Sequence, residues 1–168
     1  MNEDRRTAPP YAGDERATLT GLLDFQRETL ALKCAGLDAD RLRRRAVAPS
    51  GLSLLGLVRH LAEVERSWFR DIFAGEDSRS PWTAPGAAEF ADFDVDDADP
   101  DEAFAVWRAE CARSRAVVDA AASLDAVTHF RGETYSLRYI LGHMIEEYAR
   151  HNGHADLLRE RIDGTTGE

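Results

Sequence analysis

Glu147, His151 and His154 fall on one helical stripe near the end of the chain, in EEYARHNGH (residues 146–154). Leu137, Ile140 and Met144 precede them and Leu158 follows, in steps of three and four. Such steps mark a core-facing helix face, where leucine would pack better than a carboxylate or an imidazole. Burying a carboxylate without a partner costs on the order of several kcal/mol. Glu147 therefore needs a partner, or the stripe opens into a cleft.

Glu147 and His151 are one helical turn apart, so their side chains stack on one face. A facing helix of a bundle can add a third group. The candidate is His60, in LVRHLAEVE, which borders a seam made by Leu57 and Val64. Two imidazoles and one carboxylate form an open ligand set that suits Zn²⁺, Fe²⁺, Ni²⁺ or Mn²⁺ and leaves positions for water and substrate. The same spacing also fits a Glu–His hydrogen bond with a purely structural role. His154 reads as a ligand, a support for one, or a solvated helix-face residue. His143, four before Glu147, lies beside the stripe and reads as a support at most. His129 falls in a linker and reads as solvated.

The elements that must position these residues are helices. Residues 1–12 form an expected flexible arm in which Pro9 and Pro10 block a helix. Residues 13–164 form one expected domain. The first long helix spans about 14–35, with Gly36 as its stop, and DADRLRRRA adds a short turn. The second starts at Ser53 as N-cap and ends before Gly75. An irregular connection follows to Asp99, with Pro81, Pro85, Gly86 and the acidic run 92–102, read as a solvated loop and helix start. Asp99-Pro100-Asp101-Glu102 opens the third helix, since Asp caps, Pro suits the first turn and acids favour the positive end of the helix dipole. Its seam is Phe104, Trp107, Cys111, Ser114 and Val118. The linker SLDAVTHFRGETY, with no strong strand pattern, leads to the fourth helix at about 136–162. The fold class is therefore all-α, a four-helix bundle, whose long link between helices two and three either turns back or crosses the bundle and leaves those two parallel.

Composition bounds the function. The chain has 168 residues, 43% hydrophobic and 31% charged, with a formal net charge of −10. That is a globular composition, and the negative charge argues against nucleic acid and an anionic membrane surface as partners. No apolar run approaches the ~20 residues needed to span a bilayer. The polar N-terminus lacks the apolar segment of a secretory signal, and two distant cysteines, Cys34 and Cys111, read as buried thiols in a reduced, cytoplasmic setting. Arg59, Arg66, Arg70 and Arg150 read as helix-surface charges, one of which can hold a substrate carboxylate. Tyr148 reads as a core ring with its hydroxyl at the rim, and Trp82 as a loop anchor over the cleft.

GLVRHLAEVERSWF and HMIEEYARHNGHADLLRERIDG resemble the DinB-like superfamily, closest to the branch called mini-circle protein, over nearly the whole chain. The resemblance implies a four-helix bundle with a long crossover between helices two and three, and a divalent metal held by one His on helix two and two residues four apart on helix four. In related mycothiol-dependent maleylpyruvate isomerases that last pair is Glu then His, which maps here onto His60, Glu147 and His151. Zn²⁺ is the foremost expectation, with Ni, Fe or Mn as alternatives. The resemblance further implies a thiol-dependent S-transferase or isomerase that uses a low-molecular-weight thiol such as mycothiol on a small electrophile. It also implies a homodimer, since many members pair through helices. The alternatives are a non-catalytic bundle binding metal or a small ligand, as in stress or resistance, and a structural protein whose polar seam fixes helix register.

Overall fold

The computed structural model describes residues 6–82 and 91–167. Part of the expected arm (1–5) and the middle of the expected irregular connection (83–90, with Pro85 and Gly86) lie outside the described residues.

The helices begin where side chains can satisfy the first free N–H groups. Helix α1 spans Glu15–Cys34 and is capped by Asp14, which accepts from the Ala17 N–H at 2.8 Å. A short α2 spans Ala39–Arg43. Ser53 caps α3, Leu54–Glu65, by accepting from the Gly56 N–H. This helix continues without a break as a π-helical stretch, Arg66–Phe73, and stops at Gly75, whose φ of 70° only glycine adopts freely. Arg66 ties that stretch together by donating to Glu63, Asp71 and Ser78. A single 3₁₀ turn, Ala91–Phe93, precedes α4, Pro100–Ala120, with Asp99 as cap and Pro100 in the first turn. Helix α5, Leu137–Asp163, starts on Ser136 and ends on Gly164 in the left-handed conformation.

Cross-helix contacts fix the directions. Glu15 pairs with Arg138 and Lys33 with Asp156, so α1 and α5 run parallel. Glu65 meets Cys111 while Arg59, one and a half turns earlier, feels Glu102, so α3 and α4 are parallel as the crossover requires. His60 faces His151 and Trp68 faces His143, so α3 and α5 are antiparallel. The core between them is aliphatic, with Leu54, Leu57, Leu61, Ile140, Leu141 and Met144 fully buried.

The linker before α5 is not irregular. Val127–Phe130 pairs antiparallel with Glu133–Ser136 across a turn at Arg131 and Gly132, both at positive φ. That is the backbone of a type I′ hairpin. It was hidden because Arg stands at a turn position usually held by Asn or Asp, and because four-residue strands give little alternation. His129 is exposed on the first strand. Among the described residues no helix is long and apolar enough to cross a membrane.

Candidate metal centre

The stripe of α5 splits. Its deepest line runs Leu141, Met144, Tyr148, Asn152 and Ala155, whereas Glu147 and His154 are half-buried and His151 is 8% exposed. The ionisable residues therefore occupy the shoulder of α5 that turns toward α3, not the centre of the core. Opposite them, His60 is half-buried on α3.

His60, Glu147 and His151 each offer one ligand atom, and these atoms all lie within 4.8 Å of one another. The His60 and His151 rings meet edge to face at 4.7 Å between centroids, and His151 Nε2 is 3.4 Å from Glu147 Oε2. The expected trio thus converges from two helices, and its two nitrogens and one carboxylate oxygen can coordinate a divalent cation.

Each imidazole has its other nitrogen engaged. His60 Nδ1 is 2.7 Å from Asp92 Oδ2. A carboxylate only accepts, so Nδ1 donates and Nε2 keeps its lone pair for a cation. This is the usual way a metal-bound histidine is oriented. His151 Nδ1 is 3.3 Å from His154 Nδ1. Burial, reinforced by the neighbouring His60, pushes His151 down to about 4 despite the opposing Glu147. It is therefore neutral at pH 7, as ligation demands. His143 Nε2 lies 3.8 Å from Glu147 Oε1, with its ring against Trp68 at 4.2 Å.

Asp92 corrects the reading of the acidic run: it is buried, and its carboxylate faces inward onto His60. The segment carrying it is pinned by Arg59, which donates to the carbonyls of Asp94 and Ala91. Phe93 stacks on His60 at 4.9 Å. Gly56 lets it approach closely, since a Cβ there would stand 3.1 Å from the Phe93 ring and press it outward by a few tenths of an ångström. Arg59 and Arg66 are thus buried structural clamps rather than surface charges, while Arg150 is exposed and pairs with Glu146. Trp82 does anchor its loop on α3, donating from Nε1 to the Arg59 carbonyl at 3.0 Å. The one signal that could have located Asp92 is the general need of a ligating histidine for a second acceptor.

A second polar cluster, not foreseen, lies inside the bundle. Arg27 clasps Glu65 through Nε (2.7 Å) and Nη2 (2.8 Å), Tyr148 donates to Glu65 at 2.8 Å, and Trp107 donates to the Tyr148 hydroxyl at 2.8 Å. The Tyr148 hydroxyl is therefore at the centre of the core, not at its rim. Burial raises the Cys111 thiol to about 12, and Cys34 likewise. Both remain unionised and reduced.

With this geometry in view, a family model described as mycothiol-S-transferase matches residues 18–164. The chain belongs to that family. The match runs from the first turn of α1 past the end of α5, and so covers α3 and α5, which bring the three candidate ligands together in this mycothiol-S-transferase family member. No curated protein and no solved structure matches the chain.

Proposed function

We propose that the protein is a divalent-metal-dependent thiol transferase, with His60, Glu147 and His151 holding the ion, Zn²⁺ foremost, and mycothiol as the thiol. The observation that carries the reading is the convergence of three ligand atoms within 4.8 Å on facing helices of a chain that matches this family. The reaction joins the thiol sulfur to an electrophilic carbon: the S–H bond breaks, its proton passes to solvent, and a leaving group departs with its bonding pair. An isomerisation, in which the thiol adds and later leaves, uses the same first bond and relates the protein to the maleylpyruvate isomerase branch. A bound cation supplies a lowered thiol pKa, so that the thiolate is present at neutral pH.

The protein's own residues do the rest. Asp92 fixes the His60 ring and its tautomer, and His154 engages the outer nitrogen of His151. Phe93 stacks on one face of His60.

The test is metal analysis of the purified protein by mass spectrometry, with Glu147→Ala and His151→Ala as variants. Each is expected to retain its helical circular dichroism and lose most of the bound ion. Full metal stoichiometry in both would overturn the ligand assignment. Metal-dependent consumption of mycothiol with an electrophile is the expected activity. Stoichiometric metal without turnover across a panel of thiols and electrophiles would instead mark a binding module.

A further inference from the structure

The ligand-bearing shoulders of α3 and α5 do not end at the metal cluster. Eight residues on from His60, in the π-helical stretch that continues α3, stands Trp68, and eight residues back along α5 from His151 stands His143. The two pairs face each other in the same antiparallel register, with ring centroids at 4.7 Å and 4.2 Å respectively. Beyond His143, Tyr139 stacks on its ring at 6.1 Å, and Tyr135 of the hairpin meets Trp68 edge-on at 5.6 Å. An aromatic strip thus leads from Glu147 to the hairpin.

Three features set this strip apart from ordinary core packing. Of the three tryptophans, Trp107 donates its indole N–H to Tyr148 and Trp82 donates to Arg59, whereas Trp68 meets no hydrogen-bond partner among the described residues. The hydroxyls of Tyr135 and Tyr139 are also without a partner there. Tyr139 is 54% exposed, so the strip is open to an incoming molecule. It is also held in place: Thr128 of the hairpin donates to the Ile72 carbonyl at 2.9 Å, and Trp68 sits in the π-helical stretch, a backbone form frequent at functional sites.

We propose that this strip is the electrophile subsite. It takes substrates with a planar, aromatic body, which lies against Trp68 and Tyr139 with an acceptor group within reach of the indole N–H. The reactive carbon then points along the strip toward the metal cluster. This deepens the thiol-transferase reading and rests on it for the identity of the ligand as a substrate.

The reactive probe is 1-chloro-2,4-dinitrobenzene, in which the thiol sulfur displaces chloride while the chloride keeps the bonding pair. Iodoacetamide is the small, non-aromatic control. With zinc-loaded protein and fixed mycothiol, Tyr139→Ala and Trp68→Leu are expected to raise KM for the aromatic probe by about threefold to tenfold each, the range that one aromatic contact contributes. Neither KM for iodoacetamide nor KM for mycothiol should move by more than about twofold on the same scale. Equal changes for both electrophiles, or none, would overturn the proposal. Tyr139 is exposed, so its alanine variant carries the test even if Trp68→Leu fails to fold.

A second measurement needs neither metal nor thiol. Titration of the full chain with unreactive 1,3-dinitrobenzene should give saturable binding that Tyr139→Ala weakens to a similar degree. Absence of saturable binding, or identical affinity in that variant, overturns the subsite. Binding that the variant weakens, in a protein without thiol transfer, retains the subsite and removes the proposed function instead.

Discussion

Helices α3 and α5 meet twice through polar groups, and the two meetings differ in kind. Around Glu65 every strong group is answered by protein: a two-pronged Arg27, the Tyr148 hydroxyl, and the Trp107 indole behind it. Around Glu147 the strong groups turn toward one another, two imidazoles and a carboxylate, with their outer nitrogens already engaged. Both put ionisable residues on the same pair of helices. The first is closed and needs nothing more; the second presents three lone-pair donors to a common point. Burial alone does not separate a cluster that satisfies itself from one with ligand atoms to spare, whereas the direction in which hydrogen-bonding capacity is left over does.

The sharpest way to break the comparison is Glu65→Ala. It leaves the buried Arg27 guanidinium with only the half-buried Asp24, 2.8 Å from Nη1, to oppose its charge, and the expected loss is about 3–5 kcal/mol of unfolding free energy by denaturant titration. A loss below about 1 kcal/mol, the scale of an exposed pair, would mean that the inner cluster is not the closed lock described. Asp92→Ala comes next. Without its acceptor His60 is free to turn, and metal affinity measured by competition with a chelator should fall about 10- to 100-fold. Stability of the metal-free protein should change far less than in Glu65→Ala, and an unchanged affinity would remove Asp92 from the site.

A third test uses acid. In the metal-free protein His151 is held at about 4 by burial and by His60, with Glu147 opposing and His154 and Arg150 adding to the downward push. Its ordinary value is 6.5. Between those limits the unfolded chain takes up a proton that the native one refuses, so stability is lost as the pH falls from about 6.5 to about 4. His151→Gln should flatten that slope by up to one proton, about 1.4 kcal/mol per pH unit. An identical slope in wild type and variant would show that His151 titrates freely. The smallest effect is expected from Tyr148→Phe, which removes one neutral donor to Glu65 and should cost about 1–3 kcal/mol, less than Glu65→Ala. Equal losses would mean that the tyrosine, not the ion pair, holds the cluster.

The helices were legible because their ends are written locally. Ser53, Asp99 and Ser136 cap from their own position, and Gly75 and Gly164 stop the chain by a conformation that few other residues accept. The convergence of the three candidate residues was legible for the same reason: Glu147 and His151 signal through their spacing on one helix, and His60 through its seam. What was hidden depends on partners distant in sequence. Asp92 sits among acids that look alike, and only its contact with His60, 32 residues away, distinguishes it. Glu65, in EVER, reads as a surface charge until Arg27 and Tyr148 close on it from two other helices. The π-helical turn leaves no mark in apolar spacing, so the aromatic strip that includes Trp68 could not be assembled from the pattern of any one segment.

Glu147 and Tyr148 are chain neighbours, yet one belongs to the open cluster and the other to the closed one. Rolling the rod they share would disturb both at once, since a twist that carried Glu147 away from the imidazoles would drag the phenol off its buried carboxylate. The inner lock therefore works as a torsional brake on the outer seat. The mutual spacing of the three outer side chains is thereby set by the buried phenol and carboxylate and not by anything placed between them.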